Sequence, residues 1–349
     1  MKIEKVNNFD LVRLIAASQV LIWHSAVHLN LFNPNSWVLK VVYNFPGVPI
    51  FFAISGFLIT SSINKVNFTF LSYLKNRFLR LFPALLFCTL FTAFLLLHSE
   101  IGASLSDWGL YFLAQLSFLQ PWVPNSFKSW GVGHPNGSLW SISVEIQLYL
   151  ALPILILFLK NKGIFIKNCV LILVFSISVL YSILLSSLTN PSLPWIHQIG
   201  SLFILEHMSF FIIGIAFYYH YNFLIHHIEN RFLSWLLVYI VYVLFFKYAF
   251  SLYENPYSRS LFGILANILV VFVFFSLAFS YKTWSSRFLR NNDISYGLYI
   301  FHMPIVNFFV QNGYVGDISY FLVVCLLSIF FALASWFLVE RNALKFKEK

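Results

Sequence analysis

The chain has 349 residues, of which 60% are hydrophobic and only 10% charged, and it carries 42 Phe and 18 Tyr. Soluble domains hold about 25% charged residues, so the composition excludes a water-soluble globular protein. The net charge of +10 raises the question of nucleic acid, but the basic residues lie between apolar blocks and form no single patch, which excludes that partner.

The apolar residues come in blocks of about 20, enough to cross a hydrocarbon core about 30 Å thick as helix. The alternating segments of about 10 residues that closed barrels require are absent. The expected fold is all-α: a polytopic integral membrane protein with spans at 9–29, 46–64, 80–98, 139–159, 168–188, 202–220, 232–251, 260–280, 294–312 and 318–339. Residues 1–349 are expected to form a single transmembrane domain with no separate soluble domain. With the N-terminus inside, 17 Lys and Arg fall in inner segments and four (Lys40, Lys128, Lys247 and Arg259) in outer ones. By the positive-inside rule both termini are cytoplasmic.

The first block follows Lys2 and Lys5 but runs too long for a signal peptide and is interrupted by Asp10, Arg13 and His24, so it reads as a retained span. Ionisable residues inside a span are costly and mark candidate sites. Arg13 and His24 are eleven residues apart, which returns to nearly the same helical face roughly 16 Å further on. Snorkelling to headgroups is the plain alternative for Arg13. In the second span, Gly56 of Ser55-Gly56-Phe57 reads as a close-packing position. Lys75, Arg77 and Arg80 stand where the third span leaves the cytoplasm. The i, i+3 arginines share a face that suits phosphate oxygens, although taken alone they read better as a topogenic anchor.

The longest loop, 99–138, lies outside, and its stretch 107–119 is too short to span, so it is expected along the interface or re-entrant. The fourth span then carries Glu145 in its outer half, at a depth expected to match His24, with Ser141 and Tyr149 on its face. Glu206, near the outer end of the sixth span, is a weaker candidate. In the ninth span, Ser295-Tyr296-Gly297-Leu298-Tyr299 leads to His302-Met303-Pro304; Pro304 is expected to kink the helix, and His302 either serves the site or satisfies the freed backbone. Glu340-Arg341 reads as an interfacial ion pair. Cys88, Cys169 and Cys325 have no metal-like spacing and read as packing residues; no metal is expected.

Taken in order, these segments resemble the acyltransferase family 3 membrane proteins. The resemblance rests on Asn8-Phe9-Asp10 through Arg13 and His24, FFAISGFLIT at 51–60, RFLRLFP at 77–83, SLWSISVEIQLYLALP at 138–153 (which includes Ser143), ISYGLYIFHMP at 294–304 and FLVERN at 337–342. It implies a multi-pass enzyme of a bacterial cytoplasmic or inner membrane. Such an enzyme transfers an acyl group, usually acetyl, from cytoplasmic acyl-CoA to a hydroxyl of a surface glycan or lipid-linked sugar. It further implies His24 as catalytic residue with Arg13 on its face, and Arg77 and Arg80, with Lys75, near the CoA. Glu145 would orient His24 or stabilise its charged form, and Asp10, Ser141, Ser143, Tyr149, Glu206 and His302 would surround the site. The chain departs from the family pattern at Ile146, where a second acid is common, and at Asn342, where proline is common. Two other classes share these residues: a proton-coupled transporter or flippase of an envelope polysaccharide system, and a non-catalytic assembly subunit of such a system, which would tolerate loss of His24.

Overall fold

The computed structural model describes residues 7–33, 36–117, 119–187, 194–254, 260–290 and 292–347. Lys2, Lys5, Arg259 and Lys349 of the charge distribution, and with them both chain ends, lie outside the described residues. The described residues form helices and no strand. In order these are α1 (Phe9–His28), α2 (Trp37–Tyr43), α3 (Gly47–Ile63), α4 (Phe70–His98), α5 (Leu105–Gln115), α6 (Trp140–Lys160), α7 (Ile164–Ser187) and α8 (Pro194–Ser201). They continue with α9 (Ile204–Tyr219), α10 (Tyr221–Ile228), α11 (Phe232–Tyr242), α12 (Leu261–Phe279), α13 (Trp284–Leu289), α14 (Ser295–Gln311) and α15 (Ile318–Ala334). Helices α11 and α15 run on as wider π-helical turns, Val243–Ala249 and Ser335–Glu340.

Eight helical stretches among the described residues are long and apolar enough to cross a membrane: Trp37–Ile63, Phe70–His98, Gly137–Lys160, Ile164–Ser187, His197–Tyr219, Phe232–Ala249, Leu261–Phe279 and Ile318–Phe346. The other two expected spans exist as helices but not as free-standing apolar ones. Helix α1 carries Asp10, Arg13, Gln19 and His24, and α14 has only 17 residues, most of them buried. A helix enclosed by protein need be neither long nor uniformly apolar. By contrast, Ile172 and Leu184 on α7, Leu237 on α11 and Leu326 on α15 expose apolar side chains, as lipid-facing helices do.

Contacts divide the chain into two compact units. One comprises the chain to Ala16, Tyr43–Phe68 and Leu150–Asn292. Its core gathers Phe9, Phe57, Phe217, Phe275 and Phe279, with the Phe57 and Phe275 ring centroids 5.6 Å apart, edge to face. Helices α3 and α9 cross so closely that a Cβ on Gly56 would stand 2.3 Å from the Phe211 carbonyl oxygen, and one on Gly214 1.9 Å from that of Ala53. Gly56 therefore does serve close packing. Asn8, fully buried, anchors the start of α1: its amide donates to the carbonyls of Ser280 (2.5 Å) and Tyr281 (3.1 Å), and its oxygen accepts from the Ser285 N–H (2.9 Å).

The second unit comprises Ala17–Val42, Thr69–Tyr149 and the chain from Asp293 on. Helix α5 is too short to span and packs Tyr111 against Phe127, Trp130, Leu95 and Leu96, with Ala114 also buried, while Leu105 and Leu113 face outward. A reciprocal capping box of Ser104 and Asp107 starts it. Hydrogen bonds from the Ser104 hydroxyl and backbone N–H hold the Asp107 carboxyl below the usual carboxylate range. Helices α4 and α14 run parallel, meeting at three levels: Arg80 with Asp293, Cys88 with Ile300, and His98 with Phe308. Gly297 lets α15 approach, since a Cβ there would lie 2.9 Å from the Ala332 Cα.

Candidate active site

The candidate site of the second unit begins with how α14 is held. Pro304 lacks an N–H and so leaves the carbonyl of Ile300 without its helical partner. That carbonyl is taken by the Asn136 amide (2.9 Å) and by the Cys88 thiol (3.2 Å). His302 is therefore not needed to satisfy the freed backbone. One turn beyond Pro304, Asn307 is fully buried and clamps the loop that leads into α6: its oxygen accepts from the Val132 N–H (2.8 Å), and its amide donates to the carbonyls of His134 (2.9 Å) and Pro135 (3.0 Å). Gln311 accepts from the Gly131 N–H at 2.9 Å. Gly131 has φ +60, and a Cβ there would fall 2.3 Å from Asn307 Oδ1, so both conformation and space call for glycine.

These contacts show that residues 131–136 descend along α14 from the level of Gln311 to that of Ile300, eleven residues or roughly 16 Å of helical rise. Irregular backbone at such depth is tolerated because its polar groups are satisfied inside the protein. Helix α6 consequently begins deep. Ser141 pairs with the Tyr299 hydroxyl at 2.7 Å, which puts Glu145, one turn further in, roughly 10 Å along the axis from His302. The expectation that Glu145 shares the depth of His24 is thus corrected; it assumed that α6 starts at the outer surface.

His24 meets His302 directly. Nδ1 of His24 and Nε2 of His302 are 2.9 Å apart, and the rings lie nearly parallel, 13° between planes. His302 is wholly buried, His24 remains partly exposed, and His28 stands one turn away with its ring centroid 5.8 Å from that of His24. The sequence places all three in spans but does not pair them, since the partners are 278 residues apart.

From this pair a line of polar side chains follows α6 towards the N-terminal end of α4. After Ser141 and Tyr299 comes Glu145, whose carboxylate accepts a hydrogen bond from Tyr149 one turn on. The charge of Glu145 also acts on Tyr73, Tyr296 and Tyr299. Arg77 closes the line, its guanidinium 5.5 Å from the ring centroids of both Tyr73 and Tyr149. Arg77 Nε is buried without a protein hydrogen-bond partner. Tyr73 was not singled out in the sequence, although its position one turn before Arg77 is the available signal.

The remaining candidates separate. Arg80 forms an ion pair with Asp293, whose other oxygen accepts from the Ser295 hydroxyl (2.5 Å) and N–H (3.2 Å) at the start of α14. Glu340, almost fully buried, accepts from Ser335 at 2.8 Å and lies within the field of Arg80. Arg341 is exposed, so Glu340 turns inward and the expected Glu340-Arg341 pairing gives way to this network. Lys75 is exposed on α4. Ser143 donates to Gln120 of the loop between α5 and α6 at 2.5 Å. Arg13 pairs with Asp10 at 3.1 Å and belongs to the first unit, as does Glu206, in the first turn of α9 beside Tyr181. Among the described residues no group of three or more His, Cys, Asp or Glu is placed to hold a metal ion.

A bundle of apolar helices enclosing imidazoles, a carboxylate and an arginine in one line defines the class as a multi-pass membrane protein with an embedded polar centre. The chain belongs to the acyltransferase 3 family: the family's model, described as an acyltransferase domain, matches residues 6–339. It is 28% identical to Nodulation protein 10 of Rhizobium leguminosarum bv. viciae, over 98% of this chain and 94% of that protein. It is 28% identical to the O-acetyl transferase of Shigella phage Sf6, over 97% of this chain and 96% of that one. The O-acetyltransferase OatA of Staphylococcus aureus is 32% identical over 34% of this chain and 21% of its own length. No solved structure matches the chain.

Proposed function

We propose that this protein is a membrane O-acyltransferase that moves an acyl group, acetyl in the first instance, from cytoplasmic acyl-CoA to a hydroxyl of a surface glycan or lipid-linked sugar. The observation that carries the reading is the His24–His302 pair at one end of a polar line whose other end is Arg77. Two relatives that bear the name O-acetyl transferase support the chemistry. In this reading the chain is a single membrane domain of ten spans, with both termini in the cytoplasm of a bacterial cell.

The phosphates of the donor bind Arg77 and exposed Lys75 at the cytoplasmic end of α4. The unpaired Arg77 Nε–H offers a buried donor to a phosphate or amide oxygen. Arg80 contributes less, because Asp293 and Glu340 offset its charge. Arg77 and Cys88, the latter level with Ile300, are eleven residues apart on α4, roughly 16 Å by helical rise, a length suited to an extended pantetheine arm. The arm follows Tyr149, Glu145 and Ser141 and presents its thioester to His24. His24 takes the proton of the acceptor hydroxyl as its oxygen attacks the thioester carbonyl. The new C–O bond forms, the C–S bond breaks, and the proton passes from His24 to the departing thiolate. Glu145 balances the charge of Arg77 and the transient imidazolium.

The test is acyl transfer by purified protein in lipid nanodiscs, with acetyl-CoA and a cell-surface glycan fraction. His24→Gln is expected to abolish transfer while holding acetyl-CoA, because the phosphates bind about three helical turns away. Turnover at the wild-type rate by folded His24→Gln protein would overturn the reading. Mass spectrometry of surface glycans from cells with and without the gene identifies the acceptor.

A further inference from the structure

The direction of the hydrogen bond between the two histidines decides what His24 can do, and the surroundings of His302 decide that direction. A neutral imidazole has one N–H and one lone pair, and which nitrogen carries the proton depends on what the other faces. Nε2 of His302 is taken by His24, so Nδ1 is the ring nitrogen left buried without a hydrogen-bond partner, and the backbone groups that act on the ring are the carbonyls of Leu298 and Tyr299 in the preceding turn of α14. Carbonyl oxygens only accept, and in this fully buried position a lone pair turned towards them would be repelled, so the proton belongs on Nδ1. Nε2 of His302 is then an acceptor. The atom 2.9 Å from it, Nδ1 of His24, must be the donor.

We infer that His302 is a positioning residue that fixes the tautomer of His24, leaving His24 Nε2 as the free lone pair that receives the acceptor's proton. The inference rests on the reading of His24 as the base and goes beyond it by assigning the reacting nitrogen and the residue that selects it. When Nε2 takes up the hydroxyl proton, His24 carries N–H groups on both nitrogens, and the Nδ1–H still donates to His302 Nε2. No proton moves to His302; Nε2 of His24 passes its proton to the leaving thiolate and the original tautomer returns. The Pro304 break, with Asn136 and Cys88 on the Ile300 carbonyl, frees the His302 ring for this contact. The near-parallel rings, 13° apart, hold the two imidazoles in register.

Two variants and one spectrum test this. His302→Leu removes the acceptor and keeps an apolar side chain; His302→Gln can turn its amide oxygen to His24 Nδ1–H. With the base in the wrong tautomer, kcat is expected to fall on the order of a hundredfold or more, while KM for acetyl-CoA changes less than about threefold. His302→Gln is expected to restore kcat at least about tenfold over His302→Leu, which a merely space-filling role would not produce. Nitrogen-15 chemical shifts of histidine-labelled wild-type protein, assigned by the loss of a signal in His24→Gln, report the tautomer directly, even if His302→Leu does not fold. Wild-type kcat in folded His302→Leu protein, no recovery in folded His302→Gln protein, or a proton on Nε2 of His24 would each overturn the inference. The reading of His24 as base fails separately, through turnover by His24→Gln.

Discussion

Replacing Asn307 with alanine tests whether the descending loop is held as described. The side chain makes three hydrogen bonds, to the Val132 N–H and to the His134 and Pro135 carbonyls, and is itself wholly buried. Its removal leaves the buried Pro135 carbonyl without a partner, at about 1–3 kcal/mol, and costs about 1 kcal/mol for each of the two part-buried bonds, so the sum is roughly 3–5 kcal/mol. Gln311→Ala is the internal control: it removes one bond to the Gly131 N–H at an exposed position, and is expected to cost less than about 1 kcal/mol. Unfolding of both variants in mixed micelles of SDS and mild detergent reads the difference. Equal destabilisation by Asn307→Ala and Gln311→Ala would refute the clamp, and with it the depth assigned to Glu145.

Three further outcomes are expected. Arg77→Ala should raise KM for acetyl-CoA by roughly 10–100-fold with the protein folded, and Arg77→Lys should recover part of the loss, since lysine keeps the charge without the planar fork; unchanged acetyl-CoA binding by isothermal calorimetry would return Arg77 to a packing role. Asp293→Asn removes the ion-pair partner of the part-buried Arg80 guanidinium and leaves Glu340 as the nearby acid, at a cost of about 1.5–3 kcal/mol, whereas Arg80→Met combined with Asp293→Leu should recover most of it; the same unfolding assay distinguishes the two. Lys128→Cys should react with an impermeant maleimide applied from outside, as the charge distribution requires, and labelling solely from the cytoplasmic side would invert the topology.

Much of the architecture is legible in the apolar blocks, because a span must be both long and apolar to lie against lipid. The blocks at 168–188 and 318–339 emerge as α7 and α15, which face outward. Helix α14 was legible both as the apolar block at 294–312 and through its motif, although burial relieves it of the length that lipid imposes. Residue types at the site were legible as expensive charges and imidazoles, but their partners were not. The bonds of His24 to His302, Arg80 to Asp293 and Asn8 to Ser280 each join residues more than 200 positions apart. Asp293 left one signal: an acid just ahead of a helix start, on the same side of the membrane as Arg80. The depth of Glu145 was misjudged because nothing in His134-Pro135-Asn136-Gly137-Ser138 announces that the backbone has already descended when α6 begins.

That descending segment bears on the cell's energy supply as well as on acyl transfer. A line of imidazole, hydroxyl, carboxylate and guanidinium groups reaching from the N-terminal end of α4 to His302 has the make-up of a wire for protons. Residues 131–136, pinned by Asn307 and Gln311, run along α14 past the level of His302. The clamp is therefore expected to act as an insulator that keeps a proton gradient from draining through the protein. Asn307→Ala protein reconstituted into liposomes with an internal pH dye is expected to dissipate an imposed gradient faster than the wild type, and equal decay would show that the insulation lies elsewhere.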